Sequence, residues 1–294
     1  MTAAAGPFAA DPTLVRSAAD GTELAVFEAL APDGSSRDGH PPLLLVHGAT
    51  ADHTTWRAVG PRFAASRRVF AMDRRGRGAS GDAPAYSIEL EFEDVASVAR
   101  AIADGGGTVD IAGHSYGGRC ALGASLRTKV IRRLVVYEGA PVPPGMSYRP
   151  PGLVEAVREA LARGDNDAAL STFLGGIVGM SEAGLAAYRA DPVWPARVAA
   201  AHTILREVEA EATPPASLDG LAAVSVPVLL LLGSISRSPF RIGTDALAAR
   251  LPDAQVRVID GAAHAAHHTH ADEFVRLVEA FLDAPLDTDR RIGP

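Results

Sequence analysis

Cysteine is almost missing from this chain: among 294 residues, Cys120 is the only one. A single thiol cannot form an intrachain disulfide, and it excludes a cysteine-based metal site. Lysine is as scarce, since Lys129 is the one lysine among 28 basic residues and the rest are arginines. Together with the abundant alanine, that skew reads as coding bias and not as a function. Positive charge is not in excess. The net charge of −7 and the isoelectric point near 5.7 argue against the basic face of a general nucleic-acid binder, so no nucleic-acid partner is expected. No apolar run approaches the ~20 residues that span a bilayer, so no membrane partner is expected either. Met1 to Ala10 holds no basic residue and no long apolar core, and is not read as a signal peptide. A soluble cytoplasmic protein, monomeric or homodimeric, is the expectation.

What the chain does contain is a series of short apolar runs. Leu43 to Val46, Val69 to Met72, Val109 to Ala112, Leu134 to Tyr137, Val226 to Leu232 and Val256 to Ile259 read as strands buried on both faces of a parallel sheet. Between them lie helical spacings, as in Phe92, Val95, Ala96, Ala99 and Ile102, and in Phe274, Leu277, Val278, Phe281 and Leu282. This alternation predicts an α/β fold with a mostly parallel, doubly wound sheet. Thr13 to Leu30 is expected to add an antiparallel edge hairpin turning at Asp20-Gly21. From residue 142 to residue 220 the rhythm stops: prolines give way to an alanine-rich helical stretch without a convincing strand. Its length is too great for an ordinary connection. We read residues 1–141 and 221–294 as the core, and residues 142–220 as an inserted helical cap or lid.

Gly113-His114-Ser115-Tyr116-Gly117 follows the run Val109 to Ala112 and precedes a helix-compatible stretch, Arg119 to Arg127. This is G-x-S-x-G in the strand–turn–helix setting that gives the motif its meaning. A sharp turn lifts the serine hydroxyl out of the sheet, and glycines on either side leave room for it. The helix that begins there aims free N–H groups at a developing oxyanion.

With those residues in place, the chain resembles the α/β-hydrolase fold family over nearly its whole length. Leu45-Val46-His47-Gly48-Ala49 resembles the family's strand and His-Gly loop. Asp73-Arg74-Arg75-Gly76-Arg77-Gly78-Ala79-Ser80 resembles its D-x-R-G-x-G-x-S segment. Val226 to Gly233 resembles the strand after the cap, and Gly261-Ala262-Ala263-His264 its G-x-x-H loop. The resemblance implies Ser115 as nucleophile and His264 as base, with His267 as a local competitor. It also implies an oxyanion hole from the backbone N–H groups of Ala49 and Tyr116, whose side chains should matter little. His47 is expected to order its loop without taking part in chemistry.

The carboxylate is the unusual part. The family's common position, G-x-x-D after the strand Val226 to Leu232, here reads Gly233-Ser234-Ile235-Ser236, and the next carboxylate, Asp245, is expected inside a helix. Some members, certain haloalkane dehalogenases among them, carry the acid at the end of the strand after the nucleophile helix. That strand ends here in Glu138, at the C-terminal edge where open α/β sheets put their sites. Glu138 is therefore assigned as the acid. Two alternatives stay open: a Ser–His dyad, or a fold turned to non-hydrolytic chemistry, with Ser236 only hydrogen-bonding the histidine.

The expected reaction is acyl transfer on an ester, thioester or lactone, without cofactor or metal. The run His264-x-x-His267-His268-x-His270 raises a zinc reading, but it lacks an H-E-x-x-H pattern. The blander expectation is that His267, His268 and His270 are solvated at a helix start. Met146, Phe173, Tyr188, Trp194 and His202 are the expected cap residues lining the pocket, for a small-to-medium apolar acyl substrate. Carbon–carbon bond hydrolysis, a lyase or cyclising reaction of secondary metabolism, and a non-enzymatic ligand-binding role are the competing classes, because fold alone does not separate them. Epoxide hydrolase and haloalkane dehalogenase chemistry is disfavoured, since both use an aspartate where this chain has Ser115.

Overall fold

The computed structural model describes residues 7–31, 33 and 39–285; the first six residues of the Met1 to Ala10 stretch and the last nine of the expected core lie outside them. Eight strands form one sheet: β1 (Thr13–Arg16), β2 (Glu23–Glu28), β3 (Leu43–Val46), β4 (Val69–Met72), β5 (Val109–His114), β6 (Ile131–Tyr137), β7 (Val228–Gly233) and β8 (Ala254–Ile259). Their order across the sheet is β1-β2-β4-β3-β5-β6-β7-β8. Only the β1·β2 and β2·β4 pairings are antiparallel; β4 to β8 run parallel. The fold is the α/β-hydrolase fold.

Successive side chains on a strand point to opposite faces, and the apolar runs divide accordingly. Leu44, Val46, Val228 and Leu230 join a core on one face with the helices Ile88–Ala103 and Tyr116–Ser125. Leu43, Leu45, Leu229 and Leu231 join a core on the other with Trp56, Phe63 and the helix Ala271–Leu282. Both expected helices bury the stripe their spacing requires: Phe92, Val95, Ala96 and Ala99 on the first, Phe274, Val278, Phe281 and Leu282 on the second.

The expected antiparallel edge hairpin forms: β1 and β2 are joined by the loop Ser17 to Thr22, in which Asp20 accepts from the Thr22 N–H (3.0 Å) and Gly21 takes φ +77°. Two expectations need correction. β7 begins at Val228, since Pro227 has no N–H to give the ladder. β8 is not buried on both faces: it is the sheet's last strand, and Val258 is exposed.

Between β6 and β7 the described chain is helical without a strand. The helices Leu153–Ala162, Asn166–Phe173, Trp194–Ala199 and Ile204–Ala210 pack around Val157, Leu170, Phe173, Trp194 and Ile204, a cluster separate from the two sheet cores. Its last part already belongs to the sheet: Ala210, Ala216 and Leu218 pack in the first core, ahead of residue 220. Among the described residues no helix is long and apolar enough to cross a membrane.

A buried ionic cluster joins this helical segment to the sheet. Arg74 grips Glu91 on the helix Ile88–Ala103 through two bonds of 2.8 and 2.7 Å, and Arg77 approaches it at 3.3 Å. Both arginines also bond Glu207 on the helix Ile204–Ala210. Burial alone would raise the Glu91 carboxyl, but Arg74 and Arg77 hold it below the usual carboxylate range. Removing one member of a buried cluster strands the others in low dielectric. Glu207→Ala should therefore lower unfolding free energy by about 3–5 kcal/mol, read as a lower urea midpoint with circular dichroism.

Candidate active site

The C-terminal ends of β3, β5, β6 and β7 converge on one edge of the sheet, and the site is assembled there. β5 ends at His114, and the helix Tyr116–Ser125 starts two residues later, leaving Ser115 to make the whole turn. Its backbone sits at φ +53°, ψ −124°, a region that a side chain enters only under strain. The turn is held by the Ser115 N–H, which donates to Tyr137 O at 2.8 Å. It also needs bare glycine. A Cβ on Gly113 would lie 2.6 Å from the Gly118 Cα, and one on Gly117 would collide with the carbonyl oxygens of His47 and Val46.

The His-Gly loop after β3 lies against this turn. His47 is fully buried; its Nε2 accepts from the Arg74 N–H (3.0 Å) and its Nδ1 donates to Gly48 O (2.8 Å). Burial, with Arg74 beside it, pushes the His47 pKa well down, so the ring stays neutral and serves as a bracket for the loop. Ala49 follows on the wall of the cavity that Ser115 lines. Tyr116, as the first helical residue, has no intrahelical acceptor for its N–H. Its side chain has a packing role. It is buried in the first core, its hydroxyl meets that of Tyr86 at 3.0 Å, and the Arg74 guanidinium lies over its ring at 4.6 Å.

His264 sits on the loop after β8, which the Tyr137 hydroxyl ties down by donating to Ala263 O and accepting from the Ala266 N–H (3.1 Å). The His264 ring stacks on Phe240 with centroids 4.4 Å apart. Its Nδ1 is 2.6 Å from Glu138 Oε2. Glu138 ends β6 at φ +51°, and its side chain is entirely buried. Its other oxygen, Oε1, accepts from the Gly233 N–H (2.8 Å) and the Ser236 hydroxyl (2.5 Å). Ser236, at the family's usual aspartate position, therefore bonds the carboxylate and not the histidine. Asp245 lies within the helix Ser238–Ala248.

Ser115 stands where two cavities meet. The larger, about 430 Å³, is also lined by Ala49, His264, Phe173, Tyr188 and Arg197; the smaller is lined by Tyr116, Glu138, Arg119 and Phe240. Of the five expected cap residues, Phe173 borders both cavities and Tyr188 the larger one. The other three do not reach Ser115. Met146 is 42% exposed and faces a separate proline-lined cavity. Trp194 is consumed in the helical cluster, with its Nε1–H bonded to Asp167 (2.7 Å). His202 is exposed, its Nδ1 bonded to Ala199 O (2.8 Å). Phe240 and Arg197 had no signal in the sequence, because nothing in their spacing ties them to the motifs.

The histidine run is also not as expected. His267 is buried at 1% exposure between Trp56 and His114, and only His270 of the three borders the Thr269 hydroxyl at the surface. Among the described residues, no three His, Cys, Asp or Glu side chains converge as metal ligands would.

A family model described as the alpha/beta hydrolase family matches residues 43–277. The chain belongs to that family. It is an enzyme of the hydrolase fold, and its relatives differ in chemistry. It is 27% identical over 257 residues, 84% of this chain and 90% of the relative, to an N-formylmaleamate deformylase of Pseudomonas putida. It is 35% identical to a 2-hydroxymuconate semialdehyde hydrolase of a Pseudomonas species, over 108 residues that make up 34% of this chain and 37% of that protein. Among solved structures it is similar to an alpha/beta hydrolase from Sphaerobacter thermophilus, with a TM-score of 0.75, 28% identity, and coverage of 92% of this chain and 99% of that one.

The buried histidines carry a pH prediction. Burial pushes His47, His114 and His267 well below 6.5, helped by Arg74 at the first, His264 at the second and His114 at the third; burial and Arg57 hold His268 at about 4. Below pH 6.5 the unfolded chain takes up protons that the folded chain refuses, so stability is full above that value and falls as pH drops toward 4. Urea denaturation between pH 8 and pH 5 should show this decline, and His267→Gln should make its slope shallower.

Proposed function

We propose that this enzyme is a serine hydrolase that cleaves a carboxylic ester, thioester or lactone through an acyl-enzyme. The observation that carries the reading is the 2.6 Å contact between His264 Nδ1 and a fully buried Glu138, beside a serine held on a strained elbow. With Nδ1–H given to Glu138, Nε2 is the nitrogen left to take a proton. Ser115 Oγ attacks the acyl carbon and His264 accepts its proton. The N–H groups of Ala49 and Tyr116 hold the oxyanion. As the tetrahedral adduct collapses, His264 protonates the leaving group. A water, deprotonated by the same histidine, then attacks the acyl carbon and frees both the acid and Ser115. Glu138 remains ionised throughout, fixing the tautomer and stabilising the imidazolium. Gly233 and Ser236 hold it in place.

In this reading residues 142–220 act as a lid, and Phe173 and Tyr188 give the acyl group an apolar wall. Carbon–carbon bond hydrolysis is the second reading. It is favoured by the similarity to the semialdehyde hydrolase, and it would use the same three residues.

A fluorophosphonate should label the wild type at Ser115 and leave Ser115→Ala unlabelled, and p-nitrophenyl butyrate should be hydrolysed by the first alone. If the wild type neither labels nor turns over an ester, the serine-hydrolase reading fails. Glu138→Gln should lower kcat by roughly 10⁴-fold, the loss seen when a triad carboxylate becomes its amide. Ser236→Ala should cost about tenfold, because the Gly233 N–H still holds Oε1. Equal turnover by Glu138→Gln and wild type would remove Glu138 from the mechanism.

A further inference from the structure

Among the described residues, Arg197 has no counter-ion. It lies on the helix Trp194–Ala199, is 7% exposed, and lines the cavity that Ser115 and His264 also line. Its one hydrogen bond is from Nη2 to the Thr55 hydroxyl at 3.1 Å, and its Nε has no partner. The Tyr188 ring lies 5.9 Å from the guanidinium. A buried charge costs several kcal/mol unless it is paired, and proteins rarely leave one with a single neutral partner.

The surroundings do not supply the missing charge. The larger cavity has one other arginine and one carboxylate on its wall, Arg57 and Asp191, and these pair with each other at 2.8 Å. No carboxylate of the described residues pairs with Arg197. The neighbouring histidines add nothing: the Nε2 atoms of His267 and His268 each lie 3.4 Å from Thr55 Oγ1, and both rings are held neutral by burial. Thr55 thus holds the guanidinium by one nitrogen, and among the described residues no negative charge compensates it where it lines the cavity. A guanidinium offers two parallel N–H groups that match a carboxylate.

We propose that Arg197 binds a carboxylate of the substrate, so that the enzyme acts on acyl compounds carrying a second, free acid group away from the reacting carbonyl. The wall of Phe173 and Tyr188 then takes the carbon chain between the two ends. Which bond is broken rests on the reading of Ser115 as nucleophile; the binding of the carboxylate does not, and is measured apart from it.

The binding test is calorimetric titration of Ser115→Ala protein with monomethyl glutarate and with neutral methyl valerate. The half-ester should bind and the neutral ester should not at the same concentrations. Adding Arg197→Met should weaken half-ester binding by roughly 30-fold or more, the usual loss for one partner of a buried charged pair. Equal binding by both proteins, or no binding of the half-ester to either, would overturn the proposal. Should Arg197→Met not fold, Arg197→Lys reads the same contact, since lysine lacks the fork: binding about tenfold weaker supports the proposal and unchanged binding overturns it. In turnover, the ratio of kcat/KM for mono-p-nitrophenyl glutarate over p-nitrophenyl butyrate should favour the acid in the wild type and fall at least 30-fold in Arg197→Met. A wild type that labels at Ser115 yet shows no preference would sink the carboxylate subsite alone. A wild type that binds the half-ester but neither labels nor turns over would sink only the serine chemistry.

Discussion

The bond between His264 Nδ1 and Glu138 Oε2 requires two chain segments 126 residues apart to meet, with the carboxylate side chain entirely buried. A carboxylate buried that completely must have every oxygen occupied, or the cost of removing it from water is not recovered. Here the accounting closes. Oε2 takes the imidazole, and Oε1 takes a backbone N–H from the end of β7 and a hydroxyl three residues later. The strand ends of β6 and β7 lie side by side, which brings the Gly233 N–H and the Ser236 hydroxyl to the carboxylate, and the loop after β8, the next strand, brings His264. The positive φ of Glu138 is the backbone cost of turning the side chain toward them.

From that contact the rest of the site follows by support. The loop bearing His264 is tied to β6 through Tyr137, the residue before Glu138, so the strand that carries the acid also positions the base. The Ser115 N–H is anchored on the carbonyl of the same Tyr137. One strand end therefore sets the relative placement of all three groups in the reaction we propose. The His-Gly loop is positioned differently, by the neutral His47 bracket and by Arg74, which also reaches the helical segment through Glu207. The sheet thus holds the reacting groups, while the ionic cluster holds the roof above them.

The strands, the two main helices and the elbow were legible in the sequence because each depends on local spacing: period two or a continuous apolar run for strands, three to four for helices, glycine on both sides of the serine. Glu138 was legible for a related reason, since a lone charge ending an apolar strand is costly unless it has work or partners. The cap lining was not legible. Trp194 and Phe173 look alike in sequence and both pack in the helical cluster, but only Phe173 also lines the cavities that Ser115 lines, while Trp194 gives its Nε1–H to Asp167.

By itself, then, the sequence determined the sheet, the helical insertion, the serine turn and the place of the carboxylate. These are properties of neighbours along the chain. Tertiary structure alone decided that Ser236 bonds Glu138 rather than His264, that His267 is buried and not solvated, that the Tyr116 side chain is part of the core, and that Arg197 lines the serine cavity with no counter-ion among the described residues. Each of those outcomes turns on what a side chain meets across the fold. Burial is what sets Arg197 apart from the surface charge that any composition count would make it.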